Sequence, residues 1–130
     1  MIEANRLISF GLVVLIWLVQ LVIYPAFAEI AIDGFTSWHA RYTRAITWVV
    51  APLMLGQMVL AIALLVQYPG AKTISYVALV TLTWLLTAFV SVPIHNQLAA
   101  AYDGAQIRQL IGTNWMRTLA WSLSFVVLLF

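Results

Sequence analysis

Apolar residues run along this chain in long blocks separated by short polar stretches. Leu7 to Ala28, Ala45 to Ala71 and Thr73 to Tyr102 each pass without a charged side chain. A hydrocarbon layer of about 30 Å takes about 20 apolar residues of helix to cross. The blocks therefore predict three spanning helices, near 7–27, 44–67 and 73–94. Pro69 and Gly70 ahead of Lys72 mark a tight turn between the second and third spans. Pro93 and His95 mark the end of the third, because proline weakens the helical turn it closes. The fourth block is short. Thirteen residues follow Arg117, only about 20 Å of helix. A fourth span must therefore begin near residue 111 and draw Asn114 and Arg117 into the slab. The expected fold is an all-α integral membrane bundle of four transmembrane helices. It forms a single domain over 1–130, with spans near 7–27, 44–67, 73–94 and 111–130.

Composition agrees. Hydrophobic residues make up 65% of the chain and charged residues 8%, against roughly 45–50% and about 25% in soluble domains. So small a soluble domain has too much surface to hide that excess in one core. A soluble enzyme, a disordered segment and a nucleic-acid partner are excluded, and membrane lipid is the expected surrounding. The sequence pI near 9.3 rests on only six basic against four acidic residues. Without cysteine there is no disulfide, thiolate nucleophile or sulfur ligand. Arg6, an apolar stretch and Ala26-Phe27-Ala28 imitate a signal peptide. The stretch is long, however, and carries Trp17, Gln20 and Tyr24 on one helical face, so it is expected to remain as the first span.

Four spans put both chain ends and the 69–72 turn on one side, here side B. The 28–43 and 94–112 loops share the opposite side A, each with an interfacial segment. Seven of the ten charges fall on or near side A: Glu29, Asp33, Arg41, Arg44, Asp103, Arg108 and Arg117. His39 and His95 lie there too. Positive charge does not fix the orientation, because the side A excess disappears if Arg44 and Arg117 are site residues. The halves also echo one another. Tyr24-Pro25 and Val92-Pro93 end the odd spans, Asp33-Gly34 and Asp103-Gly104 follow, and Arg44-x-x-x-Trp48 and Arg117-x-x-x-Trp121 open the even ones. The pattern predicts a duplicated hairpin that gathers both Arg-Trp pairs around one axis.

Thr83, Thr87, Ser91 and His95 step by four and form one stripe. The threonine hydroxyls are expected to bond the carbonyl one turn back. Asn114, Arg117, Thr118, Trp121 and Phe125 form a second stripe. An ionisable residue at this depth marks a site unless it snorkels to the headgroups. His39 and Tyr42 share a helical turn, and Ile30–Tyr42 is expected to form an interfacial helix leading into the second span. Trp38 and Tyr42 also fit an aromatic belt. Gln20 can reach a pocket floor, whereas Gln57 is expected to serve helix packing. Met54 and Met58 are expected to fill core.

The stretches Val92-Pro93-Ile94-His95-Asn96-Gln97-Leu98 and Thr113-Asn114-Trp115-Met116-Arg117-Thr118-Leu119-Ala120-Trp121 resemble small four-helix bacterial membrane proteins of the anthrone-oxygenase-like group. Those carry a Pro-x-Asn-x-x-Leu motif after the third helix and a Trp-x-x-x-Arg-type motif opening the fourth. The likeness covers mainly residues 90–121. It departs at His95, where the family usually has Asn, and in the closer spacing of Trp115 and Arg117. The resemblance implies a bacterial cytoplasmic membrane, an aromatic substrate and an oxidation without an obvious metal or flavin.

From the residues themselves, the leading expectation is a side A pocket that binds or transforms a lipophilic small molecule. His95 or His39 would act as general base or acid, and Arg117 and Arg44 would stabilise an oxyanion. Asn96, Asn114, Tyr42 and Gln20 would orient the substrate, and Trp38, Trp115 and Trp121 would wall it. No metal is expected, since two histidines lack a ligand motif. Two alternatives stand beside this: a b-type haem held by His39 and His95, and a structural or assembly subunit without a site. A homo-oligomer is compatible with all three.

Overall fold

Each apolar block is one long helix in the computed structural model, which describes all of residues 1–130. α1 spans Ile2–Glu29, α2 Ile32–Gln67, α3 Ala71–Ala100 and α4 Gly104–Leu129. There are no strands. The chain is thus an all-α bundle of four helices, and α1, α2 and α3 are long and apolar enough to cross a membrane. α1 and α3 each pack against α2 and α4, so successive helices are neighbours around the bundle. At Gly56 the Ile8 side chain of α1 lies over α2, where a Cβ would stand 2.8 Å from Ile8 Cδ1.

The connections are short, and side chains fasten two of the three. Asp103 caps α4 by accepting from the backbone N–H of Ala105 at 2.8 Å and Gln106 at 3.3 Å. Thr73 Oγ1 donates to the Tyr68 carbonyl at 2.7 Å and the Gly70 carbonyl at 3.0 Å, fastening the turn before α3. At side A the chain is extended only around Ile30 and Ala31 and around Ala101 to Asp103.

Two helices run on where the sequence pattern places a break. Residues 30–42 do not form a separate interfacial helix, because α2 starts at Ile32 and continues into the span over 36 residues. α3 likewise passes through Pro93 to Ala100. The reason is a wide π-type turn at Thr87–Ser91 just before Pro93, matched by another at Val19–Ile23 just before Pro25. Such a turn shifts the hydrogen-bond ladder by one residue and so accommodates a ring that has no N–H. His95 therefore sits inside a helix rather than at a broken end. The two wide turns match between the halves, but the Arg-Trp pairs do not gather. Trp121 is 1% exposed and Trp48 79% exposed, and Arg44 is exposed beside it.

Only 30 of 130 residues are buried, and Leu7, Trp48, Val66 and Phe89 are among many large apolar side chains facing outward. That exterior is the one lipid solvates. Inside, one core cluster around Leu12, Phe27 and Leu98 packs the bundle toward side A, and a smaller one around Leu64, Tyr76 and Val80 lies toward side B.

Candidate functional site

α2 and α3 part on their side A half and leave a cavity of about 390 Å³, backed by α1 and α4. Its threonine hydroxyls are turned away. Thr43 donates to the His39 carbonyl at 3.0 Å, Thr47 to the Thr43 carbonyl at 2.6 Å, and Thr87 to the Thr83 carbonyl at 2.7 Å. These bonds to the preceding turn of their own helices leave the lining mostly apolar, and the polar groups that remain collect in one layer.

Two histidines from different helices face each other in that layer. His39 Nε2 lies 3.0 Å from His95 Nδ1, and His95 Nε2 lies 3.0 Å from the Tyr24 hydroxyl. Phe27, fully buried, sets its edge against His39, Tyr42 and Trp38 at centroid distances of 5.7, 5.1 and 5.2 Å. Phe35 stacks on His39 at 5.6 Å. Aromatic packing thus locks the imidazole that α2 supplies. A neutral imidazole carries one N–H and one acceptor nitrogen. Tyr24, His95 and His39 therefore form a chain whose bonds all point one way or all point the other. Its free ends are the Tyr24 oxygen and His39 Nδ1, and His39 Nδ1 is buried without a partner.

Arg117 stands beside this chain, 7% exposed. About thirteen residues of α4 precede it, roughly 20 Å of helix, so it lies halfway along rather than at an edge. It does not snorkel. Its guanidinium donates to Ser91 Oγ at 3.1 Å and Asn114 Oδ1 at 3.2 Å and lies 5.1 Å over the Trp121 ring. Behind it, Gln20 Oε1 accepts from Asn114 Nδ2 at 3.0 Å and Thr118 Oγ1 at 3.3 Å, and Gln20 Nε2 donates to the Ile111 carbonyl at 3.1 Å. Every one of these partners is neutral. The only ion pair in the chain joins Arg6 to Glu3 at the other end. Arg117 is a buried cation with no counter-ion, and its Nε has no partner. A buried charge without compensation is costly. The site accordingly favours an anion or a strong acceptor.

The structure brings most of the expected residues together. His39, His95, Arg117, Tyr42, Asn96 and Trp121 line the cavity. Gln20 and Asn114 stand behind Arg117 and hold it. Trp38 stacks on Tyr42 at 5.5 Å, one layer back from the cavity. Arg44 and Trp115 do not belong to the site. Arg44 follows His39 by five residues, about 140° around the helix, and Trp115 precedes Arg117 by two, about 200°. Both are exposed, and Trp115 packs edge-on against Trp17 at 5.6 Å. Tyr24, Ser91 and Trp84 join the cavity lining although the sequence pattern did not assign them to a site. Tyr24 was legible as the partner of Gln20 on one face, and Ser91 as a member of the α3 stripe. Trp84 gave no signal, and its indole N–H is buried and unpaired.

The histidine pairing bears on cofactors. Axial haem ligands sit on opposite faces of a porphyrin, whereas here the two facing nitrogens are 3.0 Å apart and bonded to each other. This arrangement does not fit a bis-histidine haem. No group of three or more His, Asp or Glu is gathered for a metal. No protein-family model, curated protein or solved structure matches the chain.

Proposed function

We propose that this is a multi-pass membrane protein in which all four helices cross. Its side A cavity binds a lipophilic molecule with a weakly acidic group, such as a phenol, enol or carboxylic acid, and moves the proton of that group. The single observation that carries this reading is Arg117, buried without a counter-ion beside the Tyr24–His95–His39 chain and an apolar cavity. The size fits, since small-molecule pockets run about 300–1,000 Å³.

The proton transfer balances within the chain's own residues. The ligand O–H gives its proton to the Tyr24 oxygen as Tyr24 passes its own to His95 Nε2. His95 passes its Nδ1 proton to His39 Nε2. The ligand is left as an anion facing Arg117, and His39 becomes an imidazolium two groups away. The new positive charge is thereby kept off the guanidinium. Arg117 stabilises the anion electrostatically in a water-poor setting, and the two imidazoles accept and pass on the proton.

The test uses 2-naphthol, whose neutral and ionised forms absorb at different wavelengths, added to the protein in lipid nanodiscs at neutral pH. Saturable uptake with the naphtholate band is expected for the wild type. Arg117→Gln should lose the saturable uptake, and His95→Phe should keep binding but show the neutral band. Uptake no greater than in empty nanodiscs, or a neutral band in the wild type, would overturn the proposal.

A further inference from the structure

We infer that the ligand is a small single-tailed or flat amphiphile that reaches the cavity sideways from the side A leaflet, between α2 and α3, without leaving the bilayer. The inference rests on the acidic-ligand reading above and adds the route and the orientation.

The first argument is the mouth. Thr47 of α2 and Val92, Asn96 and Ala99 of α3 line the cavity and are also exposed on the outside of the bundle. The wall at this seam is shared between the cavity and the lipid-facing surface. Both sides are predominantly apolar, because Thr43 and Thr47 spend their hydroxyls on their own helix.

The second argument is polarity along the bundle axis. Met54 lies thirteen residues from the side B end of α2, and Trp84 thirteen from the side B end of α3, each about 20 Å of helix. With Ile16 and Trp121 they make an apolar floor near the middle of the bundle. His95 and Asn96 lie 24 and 25 residues from the side B end of α3, about 36–38 Å. With a hydrocarbon layer of about 30 Å, that layer is at the side A headgroup level. The backbone of Arg117, twelve residues or about 18 Å from the side B end of α4, is level with the floor. Its side chain leans toward side A, as the Cα–Cβ tilt toward a helix N-terminus requires, and meets Ser91 of α3. The cavity is therefore polar toward the surface and apolar toward the bilayer centre, like a lipid leaflet. An amphiphile lying in that leaflet already has the orientation the cavity requires, and it can slide in without turning over. At about 390 Å³ the space is near the small end of the pocket range, which favours one short tail or a flat ring system over a two-tailed lipid.

The test follows tryptophan quenching by 11-bromoundecanoic acid in nanodiscs. Trp17, Trp38, Trp48 and Trp115 are first changed to Phe, leaving Trp84 and Trp121 on the floor. Three results are expected. The saturable quenching rate follows the mole fraction of probe in the bilayer, not its aqueous concentration. The 11-bromo acid quenches more deeply than 2-bromoundecanoic acid, because its tail points at the floor. Val92→Phe with Ala99→Phe narrows the mouth and slows association by about tenfold. A rate set by aqueous concentration, or deeper quenching by the 2-bromo acid, would overturn the inference, and neither measurement needs the mouth variant to fold. If these fail while Arg117→Gln still abolishes saturable quenching, the acidic site stands and only the route falls. If the wild type shows no saturable quenching, both fall.

Discussion

Two polar clusters lie inside this bundle, and they differ in charge and in how fully their groups are partnered. Toward side B, Ser9 Oγ lies 3.0 Å from the Tyr76 hydroxyl and accepts from Gln57 Nε2 at 3.0 Å, while Gln57 Oε1 accepts from the Trp121 indole N–H at 3.0 Å. All these groups are partnered, none is charged, and three helices besides α3 are tied together. Toward side A, His39, Trp84 and Arg117 each keep a buried nitrogen without a partner, against Asn5 Oδ1 alone toward side B, and one of the three is a cation. Each cluster borders a cavity, of about 360 Å³ beside Tyr76 and about 390 Å³ beside the histidines. A satisfied network holds helices together, whereas an unsatisfied one beside empty space is shaped for something else to complete it.

The contrast is tested most severely by Arg117→Met, which keeps much of the side-chain volume and removes the charge. Hydrogen bonds to charged groups contribute about 1.5–3 kcal/mol, so affinity for an acidic probe should fall about tenfold to a hundredfold. Thermal stability should hold or rise, since removing an uncompensated buried charge relieves its desolvation cost. A large loss of stability would mean that Arg117 is structural glue like Gln57.

Tyr24→Phe cuts the relay at the ligand end and leaves Arg117 in place. Binding of 2-naphthol should persist while the naphtholate band disappears. An unchanged band would show that the proton leaves by another route.

Ser9→Ala should have the opposite profile. It strands the Tyr76 hydroxyl and the Gln57 amide and should lower unfolding free energy by about 1 kcal/mol, the usual scale for such bonds within membranes. Ligand affinity should stay the same. A change in affinity with no change in stability would join the two clusters into one site.

The smallest effect is expected on the outer faces. Arg44→Gln and Trp115→Leu should alter both stability and binding by no more than about 0.5 kcal/mol, as surface substitutions usually do. A clear loss of binding in Arg44→Gln would restore the symmetric arrangement that the repeat predicts.

Much of this contrast was visible along the chain in outline. The α3 stripe and the α4 stripe mark the faces that meet, and helical spacing alone puts Asn114, Arg117 and Trp121 together. The threonine hydroxyls bond back to their own helices, as their residue type predicts, and Gln57 serves packing. The same periodicity, applied to distance around the helix, already separates Arg44 from His39 and Trp115 from Arg117. Reading them as site residues gave more weight to nearness along the chain than to the face each one occupies. The partner of Tyr24, 71 residues away, and the cavity role of Trp84, set by residues 30 or more positions away, were hidden because they depend on other helices.

The sequence by itself determined the all-α bundle, since long uncharged apolar runs in so small a chain leave few other ways to satisfy the backbone and solvate the surface. It also determined that polar chemistry gathers toward side A. Only the tertiary structure decided that His39 bonds to His95 rather than standing apart from it, that α3 continues through Pro93, and that Arg117 turns inward without a carboxylate to meet it. The physical reason is that periodicity fixes which residues share a face of one helix. Which faces meet, how far helices part and which buried groups stay unpaired depend on packing between helices, and local spacing does not encode that packing.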